Sequence, residues 1–191
     1  MTALAQVTIP SNDRALMTAL ASGDLSALGE LYDRHAGAMR RFVTRATGDA
    51  DVAEDIVHDA FLALVDAARR YDDSRPPRSF LMGIAAKLTL RRKRSLAVRL
   101  RWLGRLARAL RTVDETTPER AAAADEELQR YRSALMSLSE AKRITVLMAD
   151  VEGMSGPEIA SALGVPVGTV WTRLHHGRAR LRKALGREVS P

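Results

Sequence analysis

The chain has 191 residues, 46% of them hydrophobic and 4% aromatic, with no cysteine, a formal net charge of +7 and a sequence pI near 10.5. That is room for one ordinary domain or two small ones with a real core, and it excludes a disordered polymer, a disulfide framework and thiolate metal sites. The basic balance favours a polyanionic partner.

Residues 1–10 read as a flexible tail. The start MTALAQVTIP lacks the basic opening and apolar run of a signal peptide, and nowhere is there a run of ~18 uninterrupted apolar residues. A soluble, cytoplasmic protein is expected. Ala, Leu and Arg dominate, a helix-forming balance that predicts an all-α fold. A short helix is predicted over Asp13 to Ala21, ended by Ser22-Gly23, and Asp24 caps a longer one to about Thr47. Its apolar stripe is Leu25, Leu28, Leu31, Tyr32, Met39, Phe42 and Val43, and Gly48-Asp49 stops it.

Asp51 starts the most regular helix, ending near Tyr71, with Val52, Ile56, Ala60, Phe61, Leu64 and Ala68 on its buried face. Asp49, Asp51, Glu54, Asp55 and Asp59 fall within eleven residues that hold no Lys or Arg. In so basic a chain, an acidic patch beside Val57 and Leu62, both read as exposed, suits docking by another protein. Compensation of the helix dipole explains Asp51 and Glu54 equally well, though hardly Asp59. The chemistry of the residues alone leaves both readings standing.

Asp72-Asp73-Ser74-Arg75-Pro76-Pro77 is a rigid loop without helix. Charge then reverses: from Ser74 to Val113 there are twelve Lys or Arg and no acid. A helix is predicted from Phe80 to Arg94, with Leu81, Ile84, Ala85 and Leu88 inward and Lys87, Arg91, Arg92 and Arg94 outward. Arg75 and Arg78 with Phe80 supply the cations and stacking group that hold single-stranded nucleic acid. Leu96 to Leu110, read alone, is a basic amphipathic helix, suited alike to a membrane surface, a partner groove or nucleic acid. Residues 96–127 are taken as the connection between an N-terminal unit, 11–95, and a C-terminal unit, 128–188.

In the C-terminal unit, helices over Glu126 to Met136 and Ser139 to Val151 support the stretch SGPEIASALGVPVGTVWTRLHHGRARLRKAL, residues 155–185. Ser155 caps a short helix with Pro157 and Glu158 in its first turn. Gly164 and Pro166 break it, and a second helix starts near Val167 with Val170 and Leu174 inward. This is a helix-turn-helix whose second helix is basic: no acid lies between Ile159 and Arg187. Such a helix suits a major groove, with N-terminal side chains on bases and later arginines on phosphates. No catalytic constellation, Gly-rich phosphate loop or Cys nucleophile appears, and His175-His176 are adjacent rather than at a metal-ligand spacing. No enzyme, metal, cofactor or small-molecule substrate is expected.

Two blocks, 24–94 and 128–185, resemble the two domains of the extracytoplasmic-function class of sigma-70 family factors. The resemblance is carried by ELYDRHAGAMRRF, DVAEDIVHDAFLALVDAARRYD and LSEAKRITVLMADVEGMSGPEIASALGVPVGTVWTRLHHGRARLRKAL. It implies a promoter-specificity factor whose acidic helix docks on the β′ clamp helices of core RNA polymerase through Glu54, Asp55, Val57, His58, Asp59 and Leu62. It implies −10 promoter contacts at Arg75, Arg78, Ser79, Phe80, Lys87, Arg91, Arg92 and Arg94. For the −35 element it implies Thr169, Trp171, Thr172, Arg173, His175, His176, Arg178 and Arg180. An anti-sigma factor is a further implied partner. The sequence departs from the family pattern at Pro77 and Phe80, where an aromatic and a Trp are usual, and at Lys87, where an Asn is. Trp171 and His176 stand where many relatives carry Arg or Lys, and Gly177, expected to interrupt the helix, where Ala is usual. The alternatives are a stand-alone, dimeric helix-turn-helix regulator, which leaves the acidic helix unexplained, and a membrane-surface protein using 96–111.

Overall fold

A computed structural model describes the backbone of residues 13–103 and 122–186, and the side chains of 13–92 and 129–186. Among the described residues there are eight helices and no strand: α1 (Asp13–Ala21), α2 (Ser26–Thr47), α3 (Ala50–Ala68), α4 (Pro77–Leu103), α5 (Ala122–Met136), α6 (Glu140–Asp150), α7 (Gly156–Leu163) and α8 (Val167–Ala184). The expected all-α architecture is the one found. The predicted tail, the middle of the predicted connection, residues 187–188 and the Arg94 side chain lie outside the described residues.

The ends of the helices follow from local chemistry. Gly48 takes φ 81° and returns its N–H to Thr44 O, a left-handed stop that other residues enter at a cost. At the next residue, the Asp49 carboxylate accepts the N–H groups of Asp51 and Val52, and α3 starts at Ala50, one residue before the expected Asp51. Leu25 serves as the N-cap of α2 and is 63% exposed, outside the stripe assigned to it. Its side chain precedes the first full turn and never rotates onto the inner face.

In the N-terminal half, Leu16, Met17 and Leu20 of α1 and Leu31, Met39, Phe42 and Val43 of α2 are buried. They share one cluster with Ile56, Val57, Ala60, Phe61 and Leu64 of α3 and Leu81, Met82, Ala85 and Ala86 of α4. Each fully buried Leu, Ile or Phe contributes roughly 1.5–3 kcal/mol, so this core is ample for a small unit. Asp13 fastens α1 to α2, its two oxygens taking Arg34 Nη1 at 3.0 Å and His35 Nε2 at 2.9 Å. In the C-terminal half the core is Leu135, Leu138, Ile144, Leu147, Met148, Ile159, Val170, Leu174 and Leu181.

Two departures bear on function. The helix predicted to stop at Arg94 runs from Pro77 to Leu103, so the first residues of the expected connection belong to α4. Nothing in 95–103 breaks a helix, since there is neither Gly nor Pro there. The two halves are also packed together, α4 against α7 and α2 against α5 and α6, and their buried residues form one continuous cluster.

Candidate DNA-binding and protein-docking surfaces

The helix-turn-helix is held by its own backbone chemistry. Ser155 Oγ accepts the Glu158 N–H at 3.4 Å, and Glu158 Oε2 accepts the Ser155 N–H at 2.8 Å, a complete capping box. The Ser155 hydroxyl, which also donates to Glu158 Oε2 at 2.7 Å, and then the Ser155 N–H hold the Glu158 carboxyl below its usual range. Gly164 ends α7 at φ 69° with its N–H on Ala160 O at 2.8 Å, and Pro166 opens α8. Val170, Leu174 and Leu181 then face inward at helical spacing.

The outward side of α8 presents Trp171, Thr172, His175 and His176, all exposed; Thr169 and Arg173 are half-buried beside them. Thr172 Oγ donates back to Gly168 O at 2.9 Å, and the two imidazoles meet edge to face at 5.3 Å. Trp171 is 53% exposed, so it is not a core side chain. Gly177, expected to interrupt the helix, lies buried inside a continuous α8. A Cβ there would sit 2.7 Å from Val146 Cγ2, so the glycine is what lets α8 cross α6 this closely. Arg178 and Arg180 turn back toward the supporting helices. Arg178 Nε donates to Asp150 at 3.1 Å, a hydrogen bond that raises the guanidinium pKa further, and Arg180 Nε reaches Ser137 Oγ at 3.3 Å.

On α3, the exposed residues Glu54, Asp55, His58, Asp59 and Leu62 follow one another at i, i+1, i+4, i+5 and i+8, which puts them on one face. Leu62 is 58% exposed, as expected of a docking residue, but Val57 is fully buried. The inner face of α3 is wide enough to take the neighbours Ile56 and Val57 together, so Val57 belongs to the core. Two of the acids carry cations from adjacent helices. Arg40 of α2 forks onto Glu54, its Nη2 at 3.0 Å from Oε1, and its hydrogen bond holds that carboxyl below the usual range. Arg92 of α4, expected among the phosphate contacts, donates to Asp55 Oδ2 at 2.9 Å. It therefore lines a shallow depression with Glu54, Asp55, His58 and Asp59.

At the start of α4, Tyr71 donates its hydroxyl to Arg75 O and packs edge-on against Phe80 at 5.2 Å, which fixes the loop between them. Arg75, Phe80 and Lys87 line a cleft of about 370 Å³, whose opposite wall is Pro157, Glu158, Ser161 and Ala162 of α7. Burial, with Arg75 and Arg91 nearby, pushes the Lys87 ammonium below its usual range. Arg91 is exposed. Arg78 and Ser79 are engaged by the other half. Arg78 donates from Nη1 to the Glu152 carbonyl at 3.1 Å and from Nη2 to its carboxylate at 2.6 Å, while Ser79 Oγ donates to Glu158 at 3.0 Å. Gly83 lets the backbones close up, since a Cβ on it would lie 2.9 Å from Ala162 Cβ. Glu152, Asp150 and Arg40 were not singled out in the sequence; their partners lie 74, 28 and 14 residues away.

The chain thus pairs a unit bearing an acidic helix face and a basic helix with a helix-turn-helix unit. Residues 31–99 match the family model for sigma-70 region 2, and residues 128–181 that for sigma-70 region 4. The chain is similar to the ECF RNA polymerase sigma factor SigL of Mycobacterium tuberculosis, 31% identical over 90% of this chain and 96% of SigL. It is 35% identical to the RNA polymerase sigma factor CnrH of Cupriavidus metallidurans, over 91% of this chain and 94% of CnrH. The solved structure of CnrH in complex with the cytosolic domain of CnrY superimposes with a TM-score of 0.64, covering 93% of this chain and 99% of that one. The chain belongs to the extracytoplasmic-function class of the sigma-70 family: it is a sigma factor, directing transcription initiation by RNA polymerase. The region 2 match accounts for the acidic helix that a stand-alone regulator leaves unexplained. No described helix is long and apolar enough to cross a membrane.

Proposed function

We propose that the outward face of α3, at Glu54, Asp55, His58, Asp59 and Leu62, docks on the β′ clamp helices of core RNA polymerase. The start of α4 then holds the melted −10 element through Arg75, Arg78, Ser79, Phe80, Lys87 and Arg91, and α8 reads the −35 element through Trp171, Thr172, His175 and His176. Units 11–95 and 128–188 carry these two tasks, with the connection between them. The factor works without catalytic chemistry of its own, in the cytoplasm, and is held inactive by an anti-sigma factor, as CnrH is bound by the cytosolic domain of CnrY.

One observation carries this reading: a single acidic helix face and two basic helices are built on separate elements of one chain, so one partner can be a protein while the other is DNA. The contacts of Arg78 and Ser79 with Glu152 and Glu158 add a condition. Both side chains must leave the C-terminal half before they can hold DNA, so the free chain binds promoter DNA weakly and polymerase makes it selective. Run-off transcription with purified core polymerase on a genomic fragment library tests this. Discrete start sites are expected only when the factor is added; equal selectivity with and without it overturns the reading.

A further inference from the structure

Trp171 of α8 occupies the space that a side chain on Gly156 of α7 would need. A Cβ placed on Gly156 would lie 2.5 Å from Cζ2, 2.6 Å from Cη2 and 3.1 Å from Cε2 of the indole. Cβ atoms do not approach other atoms that closely, and the obstacle is a ring, so any other residue at 156 would force the indole to move. Gly156 itself is buried, while Trp171 remains 53% exposed. The six-membered ring therefore lies against the first turn of α7, while about half of the side chain stays exposed on the face that carries Thr172 and His175. The surface beneath the ring is firm. The Ser155–Glu158 capping box fixes that turn, and the same carboxylate accepts from Ser79 at 3.0 Å. A side chain with two free torsions is thus held in one pose before any DNA arrives.

The chemistry of the exposed part limits what it can read. Indole offers a single N–H donor and no acceptor, so it cannot make the bidentate bonds that select guanine or adenine. What it offers is a flat apolar surface, and the apolar group on the floor of the major groove is the thymine 5-methyl. We propose that Gly156 is a positioning residue for promoter recognition: the space it leaves seats Trp171 as a rigid contact for a thymine methyl in the −35 element. The inference rests on the reading that α8 contacts that element. It assigns part of the base choice to a residue of α7, the helix that is not inserted in the groove.

The test uses full-length factor in holoenzyme, on the promoter that wild type selects most strongly from a fragment library, with each upstream thymine replaced in turn by deoxyuridine. Wild type is expected to lose about fourfold in affinity at one position, the value of one buried methyl-sized group. Trp171→Ala, which creates no clash, should bind the thymine and uracil versions equally. Gly156→Ala should lose the same discrimination while keeping Trp171, and adding Trp171→Ala to it should change nothing further. In a Trp102→Phe background Trp171 is the only tryptophan, and Gly156→Ala should make its emission more accessible to iodide. If Gly156→Ala fails to fold, the Gly156→Ala, Trp171→Ala pair relieves the clash and must fold and behave as Trp171→Ala. Methyl discrimination surviving in Gly156→Ala or in Trp171→Ala, or absent from wild type at every position, overturns the inference. If Thr172→Ala or His176→Ala still shifts the selected motif in that case, the broader reading of α8 stands and only the role of Gly156 falls.

Discussion

The two basic helices of this factor differ in what the side chains proposed to hold DNA are doing. On α8, Thr172, His175 and His176 are exposed, and Trp171, 53% exposed, rests against Gly156 of the same half. On α4, Arg78 and Ser79 are already hydrogen-bonded to Glu152 and Glu158. Charge along a sequence therefore reports affinity for a polyanion, while packing decides whether that charge is available. The sequence places twelve cations and no acid between Ser74 and Val113, yet Arg75, Arg78 and Arg92 are paired with acids from outside that stretch, Asp72, Glu152 and Asp55.

That contrast can be broken or sharpened by substitution. The largest effect is expected on the docking face, where Asp59→Lys with Leu62→Glu should weaken core association at least about tenfold, or about 1.4 kcal/mol. Both residues are exposed, so thermal stability should stay within ~0.5 kcal/mol of wild type. Unfolding of the pair variant would make these residues structural. Next is Gly177→Ala. Helix propensity favours alanine by ~1 kcal/mol, but a Cβ 2.7 Å from Val146 is overpacking, which costs typically ~1–3 kcal/mol. A net loss of about 1 kcal/mol in thermal unfolding is expected, and a stabilised variant would show that α6 yields easily.

A smaller change is expected from Gly83→Leu, which wedges α4 away from Ala162. Free factor should then bind a single-stranded −10 oligonucleotide about threefold more tightly, a gain of about 0.7 kcal/mol, while the holoenzyme is unchanged. Fluorescence anisotropy reads both, and identical free-factor affinities would mean that the junction does not limit access. The smallest effect concerns pH. The Glu158 carboxyl is lowered below its usual range, so its contribution is fully present above the unfolded value of ~4.3 and is lost as pH falls through the folded value. Melting temperatures of wild type and Glu158→Gln should accordingly differ at pH 6 and converge near pH 3.

Helix ends were the most legible part of the sequence, because single residues determine them. Asp13 to Ala21 is found as predicted, and Gly48, Ser155, Gly164 and Pro166 mark the boundaries they were assigned. Interior positions next to one another were harder to read: Ile56 and Val57 are both buried because the inner face of α3 is broad. The far end of α4 was misread for want of a breaker. Least legible were contacts between distant elements, such as Arg178 with Asp150, or Trp171 with Gly156. Nothing in the spacing of Arg178 identifies an acid 28 residues earlier. Arg143 belongs here too: it is fully buried, with Nη1 2.6 Å from Met136 Sδ and no hydrogen-bond partner for Nε, and no periodicity announces that.

The cations standing over the acidic face have a consequence for ionic strength. Glu54 and Asp55 are already matched by Arg40 and Arg92 in pairs that are substantially exposed, and such pairs are worth only ~0–1 kcal/mol. In the proposed docking, a cation on the polymerase surface would displace one of these arginines instead of meeting a bare carboxylate. Docking then becomes an exchange of counterions supplied by the protein itself, with little change in the number of charge pairs. Association with polymerase should therefore resist added salt far better than a count of acidic residues suggests, while contacts with promoter phosphates keep their full salt sensitivity.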